Sequence, residues 1–482
     1  MSAERLKDYV GGQWMESFAK TTQDVRNPAT GEVIARTPLG GGPDVDRAAK
    51  RAHEAFLSWR QVPAVQRARY LFELKALLEK NAEELARIVT RENGKTLDEA
   101  RGSVRRGIEC VEVAAGAPSL LMGSVLEDVA KGIDCESIRQ PMGVFACIAP
   151  FNFPAMVPLW FYPFAVACGN TFLCKPSEQV PLSQKLIFEL IHEARFPAGV
   201  LNLVNGGKEV VDALCTHPLI RGISFVGSSP VAKHVYELSA AHGKRVQALG
   251  GAKNFLIVMP DADKELTLKA ITDSAYGCAG ERCLAGAVVL AVGDAHGWLR
   301  DGMKQRAQGL KIGDGAAPGV TLGPVISEAH RKKVTGYIEQ GVKEGAEIVV
   351  DGRKAGVPKE GYFLGATLFD RVKSEMTIAR EEIFGPVLCL MQVGSLDEAL
   401  AITREQPLAN ASSIFTTSGK SARTFKYSVE ASMAGVNIGV AAPMSFFGFG
   451  GAKGSFFGDL KAHGREAFDF YTDKKVVISR WE

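Results

Sequence analysis

Five short runs decide the fold: GVFACIAP (143–150), NTFLCKP (170–176), VLNLVNG (200–206), GISFVGS (222–228) and NFLIVMP (254–260). Each is apolar, rich in β-branched or aromatic residues, and stops at Gly, Pro or Ser. Helical stretches at about 182–194, 208–216 and 230–242 fall between them. Strands that alternate with helices predict a parallel sheet covered by helices on both faces. Ligands of such sheets bind at the carboxyl ends of the strands, so the turns after these runs are the places to look for function.

The pattern extends in both directions. Upstream, apolar residues at helical spacing predict helices over 43–59 and 64–92, with a third from Leu97 to about Ala115. The first 30 or so residues read as an irregular lead-in. Residues 118–138 alternate loosely around Gly123 and Gly132 and predict an exposed hairpin. Downstream a second alternating section follows: helix near 264–279, strand 286–292, helices 296–309 and 327–344, strand 346–350, and further elements to about 440. The tail DFYTDKKVVISRW ends in a β-type run at 475–480. A lone terminal strand forms no stable sheet, so it is expected to pair with the 118–138 hairpin or with another subunit.

Composition limits the function. The chain has 482 residues, enough for about three domains. Lys plus Arg is 57 and Asp plus Glu is 54, a balance that gives no electrostatic footprint for nucleic acid or an anionic membrane. Nine scattered cysteines without a CxxC pair argue against a disulfide framework or a structural zinc site. MSAERLKDYV shows no basic segment followed by an apolar one, and with the cysteines this predicts a cytoplasmic chain. The stretch from Gln140 to Cys174 lacks any charge, yet Pro141, Pro150, Pro154, Pro158 and Pro163 interrupt it. It is expected to form buried strands flanking a short helix, not a membrane span. GxGxxG, GxxxxGK and HExxH are all absent.

The informative residues are dispersed. GCAGERCLAG (277–286) sets Cys283 beside Arg282, where a guanidinium and nearby backbone N–H groups favour a thiolate. Cys278 is placed on the preceding helix, and its replacement is expected to be mild. PFNFP (150–154) puts the amide of Asn152 at a strand end, where it can donate to a developing oxyanion. KPSE (175–178) places Lys175 and Glu178 at a carboxyl edge suited to ribose hydroxyls. FVGSS (225–229) places Gly227 and Ser228 where a helix N-terminus meets a pyrophosphate. EEIFGPVL (381–388) joins two acids to Phe384, and GSVRRGIE (102–109) puts Arg106 on a helix. Taken singly, each has a plainer reading: a packed thiol, a turn-forming Asn, an ordinary strand–helix turn, a solvated acidic loop, a surface Arg.

Together, LKPSE, FVGSS, GGAKN, GERC, EIFGPV and NIG (437–439) occur in an order and spacing that resemble the aldehyde dehydrogenase superfamily from end to end. RQPMGVFACIAPFNFPAMVPLW, CGNTFLCKPSEQVPL and GSFFGDLKAHGREAFDFYT bring the likeness closest to its CoA-acylating methylmalonate-semialdehyde dehydrogenase branch. The resemblance implies an α/β fold: two doubly wound parallel-sheet domains plus a small β oligomerisation arm. It divides the chain into an NAD-binding domain (1–117 and 139–250), a catalytic domain (251–450) and the arm (118–138 and 464–482). It implies a homo-tetramer, a dimer of dimers, with no metal and no nucleic-acid or membrane partner.

The resemblance also assigns roles. Cys283 is the implied nucleophile, with Asn152 and the Cys283 backbone N–H as the oxyanion hole. Phe151, Lys175, Glu178, Gly227, Ser228, Glu382 and Phe384 are the implied cofactor contacts, and Arg106 and Arg282 the implied holders of a substrate carboxylate. A carboxylate at Glu178 favours NAD over NADP. Where hydrolytic members carry the Glu that activates water, ALGGAKN (248–254) here has Leu249, and Ala232 replaces a common Gly. The implied reaction is NAD-dependent oxidation of methylmalonate semialdehyde to propanoyl-CoA, or of malonate semialdehyde to acetyl-CoA. CO2 or bicarbonate is lost, and coenzyme A is the co-substrate. The alternative is a hydrolytic NAD-dependent semialdehyde dehydrogenase that releases a free acid.

Overall fold

Val144–Ile148 shows why the apolar runs become strands. Phe145 and Cys147 point into one buried cluster, and Val144, Ala146 and Ile148 into another. A segment apolar at every position hides both faces only in a sheet covered on both sides. Asn254–Val258 repeats the device, with Phe255 and Ile257 on one side and Leu256 and Val258 on the other. The computed structural model describes residues 3–481, and these two strands sit inside two separate sheets.

The first sheet has eight strands. Leu201–Leu203, Thr171–Lys175, Val144–Ile148, Ile220–Val226 and Arg245–Leu249 run parallel in that spatial order. Its edges are antiparallel: Asp8–Val10 and Gln13–Met15 on one side, Phe456–Gly458 on the other. The second sheet has seven strands, in the order Glu347–Val350, Thr367–Asp370, Val387–Val393, Gly286–Val292, Asn254–Val258, Ala411–Phe415 and Met433–Val436. Only the first of these is antiparallel to its neighbour.

Ile133–Pro141 pairs with Ser124–Ala130 and with Thr472–Arg480 to form a separate three-stranded antiparallel sheet. Val125 and Ile478 on it are 68% and 70% exposed. The tail strand thus pairs with the hairpin as expected.

Several expectations are corrected. The lead-in is not irregular: it holds the two short edge strands and a hairpin of Thr22–Arg26 with Val33–Pro38. Three-residue strands turned by Gly11 and Gly12, both at positive φ, are too short to show a period. The 64–92 helix is two helices, Ala64–Lys80 and Ala82–Asn93, broken at Asn81. The hairpin begins at Ser124 after a short helix, Ala117–Leu120, and runs on to Pro141. Helix Gly464–Phe470 packs Ala467, Phe468 and Phe470 into the main core beside Phe145. The uncharged 140–174 stretch, by contrast, is as expected: two buried strands flank the short helix Tyr162–Ala167. Among the described residues no helix is long and apolar enough to cross a membrane.

Candidate active site

The loop after Val144–Ile148 carries Phe151 and Asn152, and residues outside the sheet hold its backbone. Asn93 Nδ2 donates to the Phe151 carbonyl at 3.1 Å and Lys95 Nζ to the Asn152 carbonyl at 2.7 Å. The Asn152 side chain is 5% exposed, and its Nδ2 donates to the Glu281 carbonyl at 3.0 Å. That bond uses one of the two amide hydrogens and ties Asn152 to the segment bearing Cys283.

Cys283 lies between a 3-10 turn, Gly277–Gly280, and strand Gly286–Val292. Asn254 Nδ2 and Asn410 Nδ2 each donate to the Cys283 carbonyl at 2.9 Å. The backbone at the thiol is therefore fixed from strand Asn254–Val258 and from the residue that precedes strand Ala411–Phe415. The expected lowering of the thiol by Arg282 is not what the surroundings produce. Burial, and after it the Glu382 carboxylate, push the Cys283 thiol up to about 12. Arg282 and the N–H groups of Cys283 and Leu284 oppose this without reversing it. The low-dielectric surroundings outweigh one guanidinium.

Cys283 opens onto a cavity of about 470 Å³, which Arg106, Arg282, Phe153, Trp160 and Phe449 also line. The structure thus brings both arginines to the thiol, in different states. Arg106 pairs with Glu109 at 2.8 Å and donates to the Pro443 carbonyl. Arg282 donates to Cys278 Sγ at 3.3 Å and, among the described residues, forms no ion pair. Leu249 ends its strand 3% exposed, in the apolar cluster that includes Leu284 and carries Cys283 on its edge.

Lys175 ends its strand, with Nζ 3.1 Å from Glu178 Oε2, and Glu178 keeps about a third of its side chain exposed. Gly227 follows Ile220–Val226, and Ser228 is the N-cap residue of helix Ser229–Ala241. A Cβ at Gly227 would stand 2.5 Å from the Phe225 ring, so the turn needs glycine. Ala232 is fully buried in that helix. Glu382 accepts from the Ala252 N–H at 2.8 Å, and burial raises its carboxyl to about 7. The Phe384 ring meets Phe151 edge-on, with centroids 5.8 Å apart.

Sequence reasoning missed four residues here. Glu109 occupies Arg106, and Glu99 receives the Cys278 N–H at 2.6 Å. His330 donates to the Phe384 carbonyl at 2.7 Å. His463 lines the cavity with its Nδ1 2.7 Å from the Phe447 carbonyl, and burial lowers it to about 4. Only Glu99 carried a signal, the TLDE capping box at 96–99, which announces a helix start and nothing more.

Two largely parallel sheets, with a strand-end Asn152 bonded to the segment that carries a cavity-lining Cys283, define a class. The chain belongs to the aldehyde dehydrogenase family, whose model matches residues 14–477. Within it, the chain is 53% identical over 480 residues to a malonate-semialdehyde dehydrogenase of Halalkalibacterium halodurans, covering 100% of this chain and 99% of that one. The methylmalonate-semialdehyde dehydrogenase of Oceanimonas doudoroffii is 45% identical, with a TM-score of 0.98 over 99% of each chain. A Sinorhizobium meliloti 1021 protein solved in complex with NAD is 40% identical, with a TM-score of 0.98 over 100% of this chain and 99% of that one.

Proposed function

We propose that this chain is a CoA-acylating dehydrogenase of short semialdehyde acids. It oxidises methylmalonate semialdehyde to propanoyl-CoA and malonate semialdehyde to acetyl-CoA. One observation carries the reading: a single cavity joins Cys283 to two arginines; the resemblance adds that buried Leu249 takes the position of the water-activating Glu of hydrolytic members.

The strand edges fit NAD. Glu178 offers a partly exposed carboxylate that accepts from ribose hydroxyls and repels a 2′-phosphate. Gly227 and Ser228 present a helix N-terminus to a pyrophosphate. Glu382 and Phe384 bound the nicotinamide side. NAD, when bound, supplies the hydride acceptor. In this reading the first sheet belongs to the cofactor domain (1–117, 139–250) and the second to the catalytic domain (251–450).

Cys283 Sγ, once deprotonated, attacks the aldehyde carbon. The free N–H of Asn152 Nδ2 and the Cys283 N–H hold the oxyanion. Loss of hydride leaves a thioester on Cys283, with Arg282 and Arg106 holding the distal carboxylate. The C–C bond to that carboxylate breaks, CO2 leaves and becomes bicarbonate on hydration, and the enolate left on the thioester takes a proton from solvent. The thiol of coenzyme A then takes the acyl group and frees Cys283.

Arg282, which forms no ion pair among the described residues, is the stronger anchor, and Arg106 must release Glu109 to assist. The test is the ratio of kcat/KM for malonate semialdehyde to that for propanal. A charge-assisted contact of about 1.5–3 kcal/mol predicts that Arg282→Leu lowers this ratio about 10–150-fold, and Arg106→Leu lowers it less. A ratio unchanged in both variants would remove the carboxylate site.

The exposed three-stranded sheet, with its unpaired edges, is read as the oligomerisation arm of a cytoplasmic homo-tetramer. Deleting residues 474–482 is expected to yield monomer or aggregate by light scattering. An unchanged particle size contradicts this.

A further inference from the structure

The segment leading to Cys283 is wound the wrong way. Cys278 (φ 52°, ψ 35°) and Ala279 (φ 52°, ψ 31°) are both left-handed, and Gly280 follows at φ 71°. Gly280 has no alternative, because a Cβ there would lie 2.1 Å from the Gly385 carbonyl oxygen. Cys278 and Ala279 carry side chains, for which this conformation is costly. Such strain persists only where the surroundings impose it.

The restraints can be traced. Within the loop, the Glu281 N–H donates to the Cys278 carbonyl at 2.9 Å, and Arg282 donates to Cys278 Sγ at 3.3 Å. From outside, Glu99 Oε1 accepts the Cys278 N–H at 2.6 Å. Glu99 is itself fixed: its Oε2 accepts the Thr96 N–H at 2.9 Å, and its own N–H donates to Thr96 Oγ1 at 3.4 Å. This capping box starts helix Leu97–Ala115, and Glu99 shares one face of that helix with Ser103 and Arg106 on the cavity wall.

We propose that Glu99 is a positioning residue for the nucleophile loop. Its carboxylate holds the Cys278 amide, keeps the 278–280 turn left-handed, and thereby sets Arg282 and Cys283 at the cavity wall. The helix that brings Arg106 to the substrate carboxylate also sets the thiol and the second arginine. This rests on the reading of Cys283 as nucleophile.

The test uses the full-length protein with Glu99→Ala, Glu99→Gln, Ala279→Gly and the double variant Glu99→Ala/Ala279→Gly. Glu99→Ala is expected to lower kcat/KM for malonate semialdehyde by on the order of 10-fold or more, with NAD affinity unchanged. Glu99→Gln keeps an acceptor for Cys278 N–H and is expected to stay within about 3-fold of wild type. Glycine adopts the left-handed turn freely, so Ala279→Gly alone should be near wild type. In the double variant it should restore most of the lost kcat/KM without restoring the melting temperature. A merely structural role would move both together. Wild-type kcat/KM in Glu99→Ala overturns the proposal, as does a loss that Glu99→Gln shares and Ala279→Gly fails to repair. If Glu99→Ala does not fold, Glu99→Gln decides: activity within 3-fold supports the proposal and a larger loss ends it. A Cys283→Ala chain that still turns over would instead sink the underlying reading.

Discussion

Cys283→Ala is expected to abolish turnover, by on the order of 10⁴-fold or more, while NAD still binds. The substitution removes one sulfur from the cavity wall and leaves Lys175, Glu178 and the 227–228 turn untouched. Without Sγ no thioester forms, so the burst of NADH on mixing with aldehyde disappears together with steady turnover. The same burst separates the thiol from its amide partner. Asn152 Nδ2 spends one hydrogen on the Glu281 carbonyl, and in the proposed mechanism the other holds the oxyanion. Asn152→Ala should therefore slow the burst by on the order of 10²–10³-fold, leaving its final amplitude and NAD affinity in place. Full activity in Cys283→Ala, or an unchanged burst rate in Asn152→Ala, would return the residue concerned to a packing or turn-forming role.

The strands were legible because Val144–Ile148 and Asn254–Val258 are apolar at every position, which only a doubly covered sheet explains. Edge strands such as Asp8–Val10 were not, since three residues that pair on the rim need neither alternation nor a long apolar run. The order of the short motifs singled out Cys283, Arg106 and Arg282, which the fold brings to one cavity, but it did not record their electrostatics. Arg282 beside Cys283 reads as an activator. In three dimensions, burial and the distant Glu382 dominate the thiol. Cys278 reads as a bystander on a helix, yet it sits in a left-handed turn with its sulfur under Arg282. Glu99, Glu109 and His463 act on the cavity through contacts that span 179, 3 and 16 positions in sequence. Glu99 and His463 act through the backbone of the residues they meet, which no side-chain pattern records. Glu109, one helical turn from Arg106, looks like an ordinary surface ion pair.

The central claim is that the acyl group leaves Cys283 for a thiol and not for water. It rests on Leu249, a buried apolar side chain at the position the resemblance assigns to the water-activating Glu of hydrolytic members. Such a base contributes roughly 10²–10⁴-fold. Without it, the thioester waits for a better nucleophile. The direct measurement is NADH formation from malonate semialdehyde with catalytic amounts of protein, with and without coenzyme A. The predicted result without coenzyme A is a burst of at most one NADH per subunit, followed by turnover at least about 10²-fold slower than with it. Steady turnover of equal rate without coenzyme A, with release of a free acid, would contradict the account.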